Sequence, residues 1–308
     1  MVKGTAVEKE LAEIKSQLLF LHRRVDEIKQ RLEGSPSFEE VLHRRGLILG
    51  KSNPTENLLL PKDISPAEES QFYEMMKRYS FRIFLREIIS RQGCLQPSSL
   101  RRFCSPETEE EYTQFLIGCG ILQSGRQGLV LTKDTVRNFG ATLEWFVAQV
   151  MEKEFACPAI WGAKFGHLKA GGDYDVLSWV ERNLLYLEVK SSPPKHIEGT
   201  EIGSFMDRLD ALMPNFAILL VDTELRMKDK VIPLIEEQLA DPERMERTSI
   251  RRLFDETFLI QDRIFVTNSK PNLISNLARI LGCWLGQKAS TVAKVGDDQK
   301  AGSGRFLL

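Results

Sequence analysis

The chain has 308 residues, of which 42% are hydrophobic and 28% charged, and its formal net charge at pH 7 is −1. This size supports one or two buried cores, and no apolar run is long enough to span a bilayer. The near-neutral charge gives no global basic footprint, so nucleic acid would need a local patch, a metal ion or a partner to attract it. The N-terminus lacks a signal-peptide pattern, so we expect a cytoplasmic protein without membrane partners. The five cysteines do not have metal-ligand spacing, and zinc is not indicated.

An apolar seam runs through residues 1–34. Its members alternate at spacings of four and three residues: Val7, Leu11, Ile14, Leu18, Leu21, Val25, Ile28 and Leu32. This heptad pattern predicts a coiled coil that joins copies of the chain into a homo-oligomer. An amphipathic helix packed on its own domain is the alternative. Antiparallel pairing or a four-helix assembly is favoured, because a parallel pair would set Arg24 against Lys29.

Residues 35–69 read as a linker with partial order. Gly, Ser, Pro and Asn are scattered through the segment, and its only apolar cluster is the short run at 58–60. We therefore expect this segment to separate the coil from the modules that follow.

A third module is predicted over residues 70–136. Helices are expected at 72–89, 98–103 and 107–117, followed by two strands within 121–132 that are joined by a glycine-containing turn. This order resembles a winged helix-turn-helix. Four glutamates between Glu107 and Glu111 begin the third helix and would repel DNA phosphates. We therefore favour protein contact or a structural role over DNA contact through Arg101, Arg102 and Arg126.

From residue 137 the predicted order is helix, three strands, helix and strand. The apolar positions of 137–155 recur at helical spacing, and the short apolar runs after them have the length of buried strands. The runs lie at 158–161, 174–179, 184–189 and 216–221, with a helix near 202–212 before the last. We also expect a charged helical insertion at 224–258, a strand at 263–267 and a closing helix at 273–285. The result is an α/β domain over 137–288, followed by a disordered tail over 289–308.

Charged side chains interrupt two of these strands. Glu188 and Lys190 project from one face of their strand, and placing them in an apolar run is costly unless a ligand satisfies them. Asp173 and Asp175 lie on the preceding strand. Carboxylates beside a lysine are what a magnesium-dependent phosphodiester hydrolase needs. We expect Asp175 and Glu188 to bind the metal and Lys190 to orient water or stabilise developing charge.

Asp173 is either a second metal ligand or a solvated start of the strand. It shares a strand face with Asp175 because the two positions differ by two residues. Lys195 and His196, just past the second strand, are expected to lie near bound phosphate and not to act as catalysts.

Asp175, twelve intervening residues and the tripeptide Glu188, Val189, Lys190 resemble the signature of the PD-(D/E)xK, or restriction-endonuclease-like, nuclease superfamily. The proline of that signature is absent. Many branches lack it and have a Gly-rich approach to the metal-binding aspartate, which residues 171–177 resemble. The similarity is to the Mrr, archaeal Holliday junction resolvase and CRISPR-ancillary nuclease branches.

In those branches a helix before the sheet carries a further metal-site glutamate, and Glu144 within residues 140–147 matches that pattern. The resemblance implies a restriction-endonuclease-like mixed-sheet core of order αβββαβ. It also implies Glu144, Asp175, Glu188 and Lys190 as catalytic residues. The implied cofactor is Mg²⁺, for which Mn²⁺ can substitute.

The sequence thus predicts a self-associated, metal-dependent endonuclease, with DNA favoured over RNA as its substrate. The alternative is a scaffold of coiled coil and winged helix whose nuclease-like domain binds nucleic acid or a protein partner without cutting.

Overall fold

The computed structural model describes residues 37–91, 104–125, 128–168, 171–240 and 249–286, together with positions 13–15, 17–18, 20–21 and 24–25. The chain divides into two units, Met1–Ile48 and Leu49–Leu308. Among the described residues, no helix is both long enough and apolar enough to cross a membrane.

The described part of the first unit is mostly helical. Four members of the apolar seam are between 49% and 58% exposed: Ile14, Leu18, Leu21 and Val25. The other members of the seam lie outside the described residues, so the homo-oligomer stays a prediction. Helix α1 (Phe38–Arg44) starts with a capping box in which Ser37 and Glu40 each accept a backbone N–H from the other.

An eight-stranded mixed sheet organises the second unit. Its strands, in sheet order, are β1 (Leu49–Lys51), β4 (Ala159–Phe165), β5 (Tyr174–Val180), β6 (Asn183–Lys190), β7 (Phe216–Val221), β10 (Ile264–Asn268), β9 (Thr257–Ile260) and β8 (Ile250–Phe254). The pairs β6–β7 and β7–β10 are parallel, and the other neighbours are antiparallel. Strands β2 (Leu122–Gly125) and β3 (Gly128–Leu131) form a separate hairpin. The predicted mixed α/β architecture is confirmed at this level.

The second unit also contains helices. They are α2 (Pro66–Met76), α3 (Tyr79–Ser90), α4 (Pro106–Gly118), α5 (Gly140–Phe155), α6 (Gly199–Leu212), α7 (Val231–Leu239) and α8 (273–286). Helix α5 packs on β4, β5 and β6. Its Trp145 ring lies 5.8 Å from the Phe72 ring of α2, and Phe81 of α3 lies 4.9 Å from Tyr112 of α4. One hydrophobic core therefore joins these helices to the sheet, and no boundary between units falls at residue 136.

Residues 49–69 of the segment expected to be a linker contribute structure to the second unit. Strand β1 pairs with β4, and the apolar cluster at 58–60 is buried. Leu59 donates its backbone N–H to Thr142 Oγ1 at 3.1 Å, and Asn53 exchanges two hydrogen bonds with the backbone of Trp161. The side chain of Thr142 and the carbonyl of Trp161 thus satisfy backbone N–H groups of an irregular segment, a pairing that composition does not reveal.

The insertion at 224–258 is only partly helical. Helix α7 precedes residues 241–248, which lie outside the described part. Strand β8 follows them and forms an antiparallel hairpin with β9. Arg251 and Arg252 are exposed on β8 because it is the edge strand of the sheet. Charged residues of this kind are also typical of a surface helix, which is why the sequence pattern predicts one here. Other predictions also fall outside the described residues. They concern the helix at 98–103, the side chains of Arg101, Arg102 and Arg126, and the tail.

Candidate functional site

Asp175 and Glu188 meet on adjacent antiparallel strands. Val176 of β5 pairs with Leu187 of β6, so the residues just outside this pair face each other. Asp175 Oδ2 accepts the backbone N–H of Val189 at 2.7 Å, which fixes the aspartate against β6. The register therefore places the two carboxylates at one end of the strand pair.

Glu188 is almost fully buried and is compensated by three donors. Lys190 Nζ lies 2.9 Å and Arg208 Nη2 2.8 Å from Glu188 Oε1, while the hydroxyl of Tyr186 donates to Oε2. Tyr186, Glu188 and Lys190 occupy alternate positions of β6 and so share one face. Arg208, from α6, also donates to the Tyr186 hydroxyl at 3.0 Å. The buried charge is therefore fully paired, as burial requires.

The ammonium group of Lys190 contacts a second carboxylate besides that of Glu188. It lies 3.2 Å from Glu201 Oε1 on α6. Although burial lowers it, the charge and hydrogen bond of Glu188 raise the pKa of Lys190 above its ordinary value. The lysine therefore remains an ammonium at neutral pH, suited to stabilising negative charge and unsuited to acting as a base.

Glu144 and Asp175 are poorly compensated by comparison. Burial, then the charges of Asp173 and Glu188, raise the pKa of Glu144 to about 7, against the weaker opposing effect of Lys190. Burial, Glu188 and Glu144 raise the pKa of Asp175 well above its ordinary value, although the Val189 N–H and Lys190 oppose this shift. These carboxylates share one electrostatic environment with an excess of negative charge. A proton or a metal cation would relieve that excess.

Helix α5 directs Glu144 toward the sheet at Gly162. A Cβ added to Gly162 would lie 3.9 Å from Glu144 Oε2 and 2.8 Å from Pro54, and the Gly162 φ of +54° also favours glycine. The absence of a side chain at this point of β4 therefore admits Pro54, with Glu144 in contact range beside it.

Asp173 lies outside the buried part of the site. It precedes β5, its side chain is 53% exposed, and its carboxylate is 3.9 Å from the ammonium of Lys164. It contributes negative charge near Glu144, but its own surroundings are those of a solvated strand start.

Among the described residues, no group of three or more His, Cys, Asp or Glu side chains is arranged to hold a metal ion. Glu188 is turned to Lys190, Arg208 and Tyr186, which accounts for its absence from such a group. Asp175 and Glu144 nevertheless offer the oxygen donors and uncompensated charge that a hard divalent cation requires.

Three residues of this network were missed in the sequence: Tyr186, Glu201 and Arg208. Two signals were present. Tyr186 has the same strand phase as Glu188, and Arg208 is the sole basic residue of α6. The Nη1 atom of Arg208 lies 3.5 Å from where a Cβ on Gly172 would stand, so the glycine-rich approach to Asp175 also admits the guanidinium.

A second buried ion pair adjoins the end of β7. Arg82 of α3 donates from Nη2 and Nε to the carboxylate of Asp222 at 2.8 and 3.0 Å, and Arg86 and Ser269 donate to the same group. Although burial raises it, Arg82 and Arg86 hold the pKa of Asp222 below its ordinary value. The backbone N–H of Asp222 donates to the Lys190 carbonyl at 2.8 Å. This pair therefore ties α3 to the strand end that carries Lys190.

No model of a known protein family matches the chain, and no curated protein gives a significant match. The solved structures that match part of the chain include the following two. Can2 from Sulfobacillus thermosulfidooxidans, solved with cyclic tetra-adenylate, is 13% identical, with a TM-score of 0.46 over 80% of this chain and 61% of Can2. Protein VC1899 from Vibrio cholerae is 17% identical, with a TM-score of 0.40 over 56% of this chain and 51% of that protein. The chain thus spans less than two thirds of either protein, and these values assign it no family.

Proposed function

We propose that this chain is a metal-dependent nuclease that hydrolyses phosphodiester bonds, with DNA favoured over RNA. The observation that supports this proposal is the contrast within one site. Glu188 and Lys190 form a compensated pair, while Asp175 and Glu144 beside them carry uncompensated negative charge with raised pKa values. Perturbed acids grouped around a buried lysine are typical of a catalytic centre.

In this proposal Asp175 and Glu144 hold a divalent cation, Mg²⁺ or Mn²⁺, and Glu188 joins them when its contacts with the two cations loosen. When bound, the ion supplies Lewis-acid stabilisation of the substrate phosphate. Asp173 is not assigned a role as ligand, because it is exposed and faces Lys164.

Lys190 acts as a fixed positive charge beside the scissile phosphate. Glu188 and Glu201 hold its ammonium from two sides, so it does not need to reorganise as charge develops on the phosphate oxygens. Arg208 is a positioning residue, since it holds both the Glu188 carboxylate and the Tyr186 hydroxyl.

A scaffold that binds nucleic acid or a protein partner without cutting is the second candidate function. The specific observation in its favour is that three donors already occupy Glu188. If those contacts persist when substrate is bound, the site lacks one of its ligands.

The test is an incubation of the full chain with supercoiled plasmid, linear single-stranded DNA and RNA, each with Mg²⁺, Mn²⁺ or chelator. We expect cleavage of DNA with either metal and none with chelator. Lys190→Ala should lower the rate by about 10²- to 10³-fold, as removal of one transition-state donor does. Lys228→Ala, which removes an exposed lysine, is the matched control. Binding without cleavage under every condition would support the scaffold, and cleavage in chelator would contradict the metal-dependent mechanism.

A further inference from the structure

An open groove of about 580 Å³ lies beside the segments that leave β6 and β7. It is lined by Pro194, Lys195, Leu225, Arg226, Asp229 and Lys230. We call these six residues the basic groove.

The basic groove opens at the same edge of the sheet as Lys190. Strands β6 and β7 are parallel, and Lys190 at the end of β6 pairs with Val221 at the end of β7. One wall of the groove begins a few residues after Lys190, and the other follows Val221. Loops at the carboxyl ends of parallel strands are where open α/β sheets bind ligands. A ligand in the groove therefore lies at the same end of strands β6 and β7 as Lys190.

The cations of the groove are largely uncommitted. Arg226 forms an ion pair with Asp229 at 3.5 Å, but both side chains are more than 60% exposed, so this contact is weak. Within the described part of the chain, no acidic side chain forms an ion pair with Lys195 or Lys230, and both are exposed. Three cations against one carboxylate leave the lining with net positive charge.

The groove also has an apolar wall. The Leu225 side chain is 56% exposed next to these cations. Cationic groups beside an exposed apolar side chain suit a ligand that alternates phosphates with sugars and bases.

We propose that the basic groove binds the phosphodiester backbone of the nucleic-acid strand that enters the site at Lys190. Lys195, Arg226 and Lys230 contact successive phosphates, and Leu225 packs against a sugar or base. This inference rests on the proposed nuclease function and adds the residues that hold the substrate. It also explains how a chain with a net charge of −1 attracts a polyanion.

The test measures binding separately from cleavage. Fluorescence anisotropy follows a labelled single strand, a duplex and an RNA of equal sequence, in chelator, with the full-length Lys190→Ala protein as parent. The comparison protein adds Lys195→Ala, Arg226→Ala and Lys230→Ala to that parent. A second comparison adds only Lys228→Ala, which removes a lysine of the same loop that does not line the groove.

The slope of log affinity against log salt is negative, and for a single strand each lost phosphate contact reduces its magnitude by about 0.7. Three lost contacts therefore make the slope less steep by about 2. The ratio of variant to parent Kd should therefore fall by roughly 20-fold as salt rises from about 50 to about 200 mM. The Lys228→Ala protein should match the parent. An unchanged slope, an equal loss in the Lys228→Ala protein, or no binding of any nucleic acid by the parent would overturn the inference.

Cleavage by the wild-type chain distinguishes failure of the groove from failure of the nuclease proposal. If the groove substitutions change the salt slope but the wild-type chain cuts nothing, the groove proposal is supported and the nuclease proposal is contradicted. If the wild-type chain cuts in a metal-dependent way but the salt slope is unchanged, the nuclease proposal is supported and the groove proposal is contradicted. In a chain that cuts, the three groove substitutions should raise KM and leave kcat unchanged, because none of these residues belongs to the proposed reaction centre.

Discussion

Replacing Glu144 with glutamine should stabilise the metal-free protein above neutral pH, although it removes a carboxylate of the proposed site. Glu144 lies among acidic groups, and burial together with Asp173 and Glu188 raises its pKa to about 7 from an ordinary 4.5. Glutamine keeps the shape of the side chain and removes the charge. The folded state therefore loses a repulsion that the unfolded chain does not have.

The sign of the pH dependence follows from proton binding. Between about pH 4.5 and 7 the folded state holds a proton on Glu144 that the unfolded chain has released, so wild-type stability falls as pH rises through this range. Above about pH 7 the penalty is complete. The rise in the pKa of Glu144 from 4.5 to about 7 corresponds to about 3 kcal/mol. Relative to the wild type, the free energy of unfolding of Glu144→Gln should therefore rise little at pH 5 and by about 3 kcal/mol at pH 8.

Urea unfolding in chelator at these two pH values measures the gain. Glu152→Gln, on the same helix but exposed, is the control for the loss of one negative charge. A gain that does not grow with pH, or an equal gain in the control, would refute the view that Glu144 is held in an uncompensated acidic cluster. The same variant should also bind Mn²⁺ more weakly, because it loses one carboxylate of the proposed site.

Two further predictions concern stability and assembly. Arg82→Ala should lower the free energy of unfolding by about 3 to 5 kcal/mol because it leaves Asp222 buried without its main partner. The matched Arg78→Ala breaks the exposed pair with Glu111 and should cost less than about 1 kcal/mol, so equal losses would contradict the assignment. Deletion of residues 1–34 should lower the oligomeric mass measured by light scattering and leave the second unit folded. An unchanged mass would show that the seam does not join the copies.

Much of the sheet could be read from local pattern. The fully buried β7, Phe216–Val221, and the apolar run of β6 have the length and composition of central strands, and both coincide with predicted runs. Strands β1, β8 and β9 are not predicted by the sequence pattern. Strands β1 and β8 lie at the edges of the sheet, where short length and charged residues remove the apolar signal, and β9 has only four residues.

The candidate site shows a similar division. The alternation of Glu188 and Lys190 on one strand predicts their shared face, whereas the contact of Arg208 with Glu188 depends on how α6 packs on the sheet. The pairing of Arg82 with Asp222 joins residues 140 positions apart. No local periodicity encodes such a pair, because it arises only when the helices and sheet pack together.

The measurement that tests the central claim most directly is single-turnover cleavage of DNA over a range of Mn²⁺ concentrations by three proteins: wild type, Asp175→Asn and Lys190→Ala. We predict metal-dependent cleavage by the wild type. Asp175→Asn should need far more Mn²⁺ because it loses a ligand charge, and Lys190→Ala should be slow at every Mn²⁺ concentration because it loses charge stabilisation. Wild-type rates and metal dependence in both variants would contradict the assignment of this site.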